Sequence, residues 1–158
     1  MQDAFGGILN IFLIAVFLII VEGILAVTVS YTKAFKMKNY VIASIEQYEG
    51  SGCFPTNEAG AAPVSDTACV QRIRKYAKHI AYSPANLKCW DDYTNVEGLF
   101  CYGEVKDDGS LKGQNTATNK YYRVITQVDI SFPLVNRIMG LRFFQVSGDT
   151  RLIVLNTD

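Results

Sequence analysis

The chain has 158 residues, 49% hydrophobic and 19% charged, with a formal net charge of zero. That length fits one compact domain plus an added helix, and balanced charge without a dense basic tract leaves no electrostatic footprint for nucleic acid. No Gly-rich phosphate loop, HExxH, GxSxG or metal-ligand quartet occurs, so neither an enzymatic activity nor a cofactor is expected.

The first fifty residues organise the rest. From Phe5 to Val29 nearly every side chain is apolar, interrupted by Gly6, Gly7, Asn10, Glu22, Gly23 and Thr28. About 20 such residues suffice to cross a bilayer as a helix. No proline precedes Pro55, and no glycine lies between Gly23 and Gly50. Beyond Val29, Ala34, Met37, Val41, Ile45 and Tyr48 recur at the three- and four-residue steps of an amphipathic helix, with Lys33, Lys36, Lys38, Glu46, Gln47 and Glu49 among them. The spacing predicts one helix over roughly 5–49, about 65 Å long at 1.5 Å per residue. Residues 5–29 form its membrane-spanning or filament-core half and 30–49 its amphipathic half. The bilayer core takes about 30 Å, so the second half stands outside it with an apolar stripe that residues 50–158 must cover.

Glu22 is the one carboxylate inside the apolar run. A charge at the centre of a bilayer costs about 2.5–3.5 kcal/mol on insertion scales. Two readings are open: it pairs with a cation on a neighbouring helix, or it lies near the interface, protonated or snorkelling. Gly23 beside it permits close helix approach or local unwinding, or is simply tolerated.

Cys53, Cys69, Cys89 and Cys101 all follow the helix. An even number in an extracytoplasmic domain suggests two disulfides, and Cys53–Cys69 with Cys89–Cys101 is favoured because each pair flanks one local loop. The rivals are a zinc site, which has no CxxC or HxxxH spacing and only His79 to draw on, and reduced buried thiols in a cytosolic domain. Lys33, Lys36 and Lys38 place the head in the cytoplasm by the positive-inside rule; the cysteines place it outside and weigh more. A signal peptide does not reconcile the two, since there is no basic n-region or A-x-A site and the apolar run is too long for its core; a basic leader ahead of Met1, removed or left out, would.

Residues 50–64 are rich in Gly, Pro and Ala and read as an irregular loop. Ser65 or Asp66 is the expected N-cap of a second helix, roughly 66–81, with Val70, Ile73, Ala77 and Ile80 on one face. Arg72, Arg74, Lys75 and Lys78 make the other face, either a solvated surface or a site for an acidic partner or lipid headgroups. Tyr82-Ser83-Pro84 ends the helix. LKCW (87–90) and GLFCYGEV (98–105) read as short strands around an Asp/Asn turn at 91–95; Asp91, Asp92, Glu97 and Glu104 lack EF-hand spacing. Residues 107–119 read as a polar loop turning at Asp108-Gly109. In YYRVITQVDISF, Tyr122, Val124, Thr126, Val128, Ile130 and Phe132 alternate with a largely polar set, the pattern of a half-buried strand. Phe144, Val146, Thr150, Leu152 and Val154 share a face of a final strand, with Gly148 as a possible bulge or turn. FPLVNRIMGL between them suits a short helix opened by Pro133 and closed by Gly140. The head is thus expected to be an antiparallel sheet with one polar face, its apolar face covered by residues 34–49.

A long N-terminal helix, apolar then amphipathic, packed on a small disulfide-bearing sheet, resembles the lollipop architecture of type IV pilins. VDISFPLVNRIMGLRFFQVSGDTRLI (128–153) resembles the end of TadE-like and TadG-like pseudopilins of the tight-adherence system, where a strand leads through an apolar-Pro-apolar turn and a short helix into a last strand. The resemblance implies an α+β lollipop fold and a structural role: a subunit that rests in the cytoplasmic membrane, then enters, caps or initiates an extracellular filament. Its partners would be copies of itself, the membrane before assembly, and the pilus assembly machinery. Ile14, Phe17, Leu18 and Leu25, with Glu22 and Gly23, become the assembly residues. In type IV pilins a glutamate near the mature N-terminus pairs with a neighbour's terminal amine; here the only candidate, Glu22, stands far from Met1. The other classes are a single-pass anchored extracytoplasmic binding domain, a minor pseudopilin of an assembly machine and, least favoured, an enzyme.

Overall fold

The apolar stripe of the long helix is the seam on which the fold closes. In the computed structural model, which describes residues 2–49, 52–54, 67–90, 92–105, 119–130, 143–151 and 153–154, α1 runs unbroken from Gln2 to Gln47. At 1.5 Å per residue it is about 70 Å long. The Gly6-Gly7 pair lies inside it. Its end is set by Glu49, which adopts a left-handed φ of 52° while its N–H donates to Glu46 O. Ala34, Met37, Val41 and Ile45 are fully buried, and Tyr48 packs at the margin of the same core.

Helix α2 spans Ala68–His79, capped by Thr67, whose Oγ1 accepts from Val70 N at 3.3 Å. The expected caps Ser65 and Asp66 lie outside the described residues, and Thr67 holds the cap position. The helix ends two residues earlier than expected, with Ala81 at φ 50°. There Ala81 N donates to Lys78 O and Tyr82 N to Ala77 O, the paired bonds of a Schellman stop. Cys69, Val70, Ile73 and Ala77 face the core, and the Tyr76 ring stacks on Tyr40 of α1 at 3.8 Å.

The sheet is antiparallel throughout, in the order β1 (Thr94–Val96), β2 (Phe100–Val105), β3 (Asn119–Asp129), β4 (Phe143–Asp149), with β5 (Ile153–Val154) also paired to β3. The described residues therefore form an α+β fold of two helices and one antiparallel sheet. Residues 87–90, expected as a strand, form none; the strand lies a few residues on, at β1, inside the stretch expected to turn. The turn sits at Glu97 and Gly98, both at positive φ, with the Asn95 side chain accepting from Gly98 N at 2.7 Å. The expected short helix near Pro133, the turn at Asp108-Gly109 and the loop from Pro55 lie outside the described residues.

β3 runs antiparallel to α1. Arg151 N, beyond the end of β4, donates to Glu46 Oε1 at 2.8 Å, Thr126 Oγ1 donates to Ala34 O at 3.1 Å, and the Phe144 ring lies 6.1 Å from Tyr31. Gly148 is not a bulge: it pairs regularly with Val124. A Cβ there would stand 3.0 Å from Ile42 Cδ1 and 3.1 Å from Lys38 Cδ, so glycine makes room for two side chains of the helix against the sheet. The bulge comes later. Arg123 faces Asp149 and Lys120 faces Ile153, so the last strand carries one extra residue between Asp149 and Ile153. That offset turns the Arg151 N–H toward Glu46.

The second face of the sheet is not polar and solvated as expected. Ile125 and Gln127 are each 1% exposed. The irregular segment from Tyr82 to Trp90 covers them, with Leu87, Tyr93 and Cys101 packed around Ile125. The Tyr82 hydroxyl donates to Gln127 O and accepts from Gln127 N, both at 3.0 Å. The Gln127 amide donates to Ala85 O and to Asp129 Oδ1. Burial pushes the Tyr82 phenol up to about 12, and Tyr122 likewise to about 12.

Candidate assembly surface

The two halves of α1 share one helix and have opposite surroundings. In its most apolar 18-residue window only 6% of residues are buried, and the helix is long and apolar enough to cross a membrane. A core helix of a soluble domain would be mostly buried. Among the residues expected to carry assembly, Ile14 is 53% exposed, Phe17 64%, Leu18 55% and Leu25 59%. Their neighbours Ile11, Phe12, Leu13, Ile19 and Ile20 are also exposed, so the apolar surface wraps the whole circumference rather than one stripe.

Polar groups inside this run are handled locally. Thr28 Oγ1 donates to Ile24 O and Thr32 Oγ1 to Thr28 O, both at 2.8 Å, so these hydroxyls present no unmet donor outward. Glu22 is exposed, while Gly23 is covered by its own helix surroundings. The fold brings Glu22 to the outer surface of the helix, remote from the head core.

Cys53 is joined to Cys69 and Cys89 to Cys101, with Cα atoms 5.0 and 5.7 Å apart. These are the pairs whose loops are local. The first ties the stretch after α1 to the start of α2. The second pins the covering segment to β2. Among the described residues there is no free cysteine and no group of three His, Cys, Asp or Glu placed to hold a metal.

Two arginines of the basic face of α2 and two lysines of α1 make contacts within the head, while Lys75 and Lys78 of α2 are exposed. Arg72 donates to Gln47 Oε1 at 3.1 Å, and Arg74 pairs with Glu97. Lys33 reaches Ala81 O at 3.3 Å, and Lys38 lies 4.4 Å from the centre of the Phe35 ring. His79 is exposed on the last turn of α2.

Sequence reasoning did not single out Tyr31, Phe35, Trp90 and Phe143, all exposed. Tyr31 and Phe35 sit four apart just past the apolar run, the spacing of one helix face. Trp90 and Phe143 have no periodic signal, because one lies in an irregular segment and the other begins β4.

No protein-family model, curated protein or solved structure matches the chain.

Proposed function

We propose that this protein is a structural, non-enzymatic subunit of an extracellular pilus-like filament of the type IV or tight-adherence kind, assembled by bundling of its apolar N-terminal helix. One observation carries the reading: a single unbroken α1 is exposed and apolar on all sides in its first half, and in its second half buries one stripe, Ala34, Met37, Val41 and Ile45, in the head core. The head is built on the same rigid rod that projects the apolar surface, so moving one moves the other.

The physics of assembly follows. In a membrane, lipid solvates residues 5–29. Once the chain is extruded, that surface meets water at about 25 cal/mol per Å² unless other copies cover it. Parallel helices in a filament core cover it, and the heads form the outer layer. A heterologous contact that does not close into a ring propagates as a helical fibre. The two disulfides suit a head that stands outside the cell.

A single-pass anchored head is the second reading, favoured by apolar exposure around the entire helix, which lipid alone also satisfies. Electron microscopy of material sheared from cells making the protein, with mass spectrometry of that fraction, separates the two. Fibres built of this chain, lost in an Ile14→Asp/Phe17→Asp variant whose head still folds, support the filament. Retention of all the protein in the membrane without fibres rejects a fibre-forming subunit in favour of an anchored head or a minor pseudopilin.

A further inference from the structure

Beyond Val29, the large hydrophobic side chains exposed among the described residues are Tyr31 (43%), Phe35 (40%), Trp90 (57%) and Phe143 (42%). All four are aromatic, and the topology gathers them at one end of the head. Tyr31 stacks on Phe35 and on Phe144, with centroids 6.1 Å apart in each case. Phe143 is the next residue along β4, and alternation turns its side chain to the opposite face of the sheet. There it lines a shallow cleft with Lys88, Trp90 and Gln145, and Gln145 Nε2 donates to Lys88 O at 2.7 Å.

The level of this rim along the molecule is fixed by contacts already described. β3 descends from Glu46 toward Tyr31, and Phe143 faces Asp129 at its lower end. The rim therefore lies at the end of the head from which the apolar half of α1 emerges, Tyr31 and Phe35 on the helix and Phe143 and Trp90 on the far face of the sheet. The exposed Lys36 follows on α1 and the exposed Lys88 adjoins Trp90. Asp129, the carboxylate at this end of β3, is engaged by Ala85 N and Gln127 Nε2.

We propose that this rim is a bilayer-docking surface: before assembly the head rests on the membrane, with Tyr31, Phe35, Trp90 and Phe143 in the interfacial layer and the lysines toward anionic phospholipid headgroups. Tyr31 and Trp90, rings with a polar edge, and lysines on long apolar stems suit that layer, and Phe35 and Phe143 add apolar area beside them. The rim is continuous with the apolar helix, and the two faces of β4 contribute to it together. The inference rests on α1 spanning the membrane, and it holds for a filament subunit or a lasting anchor. The head is then pinned at two places rather than swinging on a stalk, and leaving the membrane requires lifting the rim as well as withdrawing the helix.

Trp90 is the only tryptophan in the chain, so its fluorescence reports on the rim without a label. The full oxidised chain is placed in nanodiscs of phosphatidylcholine and phosphatidylglycerol in equal parts, at one chain per disc, with or without phospholipid brominated just below the glycerol ester. The expected result is a blue-shifted Trp90 emission that brominated lipid quenches and aqueous iodide quenches poorly, with shielding weaker in Phe143→Ser. Chains that enter the discs but leave Trp90 open to iodide and untouched by bromine overturn the docking surface while leaving the spanning helix standing. Chains that fail to enter the discs overturn both. Shielding that appears only when several chains share a disc assigns the rim to a second copy and overturns the lipid assignment.

Discussion

The Tyr82 hydroxyl takes the place of a strand at Gln127. β2 begins at Phe100 and its ladder to β3 runs from Cys101↔Ile125 to Val105↔Tyr121, so among the described residues no strand lies beside β3 on the β2 side at Gln127. One phenol oxygen both donates to Gln127 O and accepts from Gln127 N, and Tyr82 is itself only 7% exposed. An irregular segment thereby satisfies a buried strand edge that would otherwise lose two backbone hydrogen bonds.

Tyr82→Phe should therefore destabilise the head by about 1–3 kcal/mol, the cost of leaving a buried backbone donor and acceptor unmet. Denaturant unfolding of the oxidised chain in detergent, followed by near-ultraviolet circular dichroism, measures it. An unchanged midpoint would mean water replaces the hydroxyl.

Alkaline pH should act on the same group. The folded-state phenols of Tyr82 and Tyr122 sit at about 12 against an ordinary 10. Their raised values favour the native, protonated form. That contribution is complete below pH 10 and is lost as pH rises from 10 toward 12, because the unfolded chain ionises first. Stability measured across this window should fall, and Tyr122→Phe should show a shallower fall than the wild type.

Gly148→Val should cost about 1–3 kcal/mol by overpacking, since even a methyl there meets Ile42 and Lys38 at 3.0–3.1 Å. Adding Lys38→Ala should recover part of the loss, because the lysine stem is one of the two obstacles. Thermal unfolding of the single and double variants checks both statements. Full additivity of the two substitutions would show that helix and sheet do not meet there.

The disulfides should contribute unequally to surface and core. Each closes a short loop, with sequence separations of 16 and 12, for which chain-entropy reasoning gives about 3 kcal/mol apiece. Cys89→Ala/Cys101→Ala should in addition loosen the cover over Ile125 and Gln127, and so speed amide exchange in the middle of β3. Cys53→Ala/Cys69→Ala should leave β3 protected and loosen the start of α2. Hydrogen exchange by mass spectrometry distinguishes them, and thiol counting in denaturant should find no free thiol in the wild type.

Arg123 makes two hydrogen bonds to Asp149, at 2.7 and 3.0 Å, yet both side chains are substantially solvated, at 29% and 42% exposure. Asp149→Ala should cost less than about 1 kcal/mol, and the effect should shrink further in high salt. A loss several times larger in chemical denaturation would mark the pair as part of the bulge that follows.

The amino-acid sequence by itself determined the elements whose apolar residues repeat at a short period: the long helix with its stripe at Ala34, Met37, Val41 and Ile45, the second helix, and the helix-facing set Tyr122, Val124 and Val128 of β3. Each residue in such an element meets the same neighbour layer as the residue three, four or two positions away, so the pattern is written locally. The cysteine pairs were legible for the same reason, since each closes a nearby loop. Only the tertiary structure decided that Ile125 and Gln127 are buried, that Tyr82–Trp90 covers them, that the bulge follows Asp149 rather than occupying Gly148, and that four exposed aromatics share the end of the head from which the apolar helix emerges. Those facts depend on contacts between residues tens of positions apart, made by a segment with no period of its own, and such contacts leave no local trace in the order of the residues.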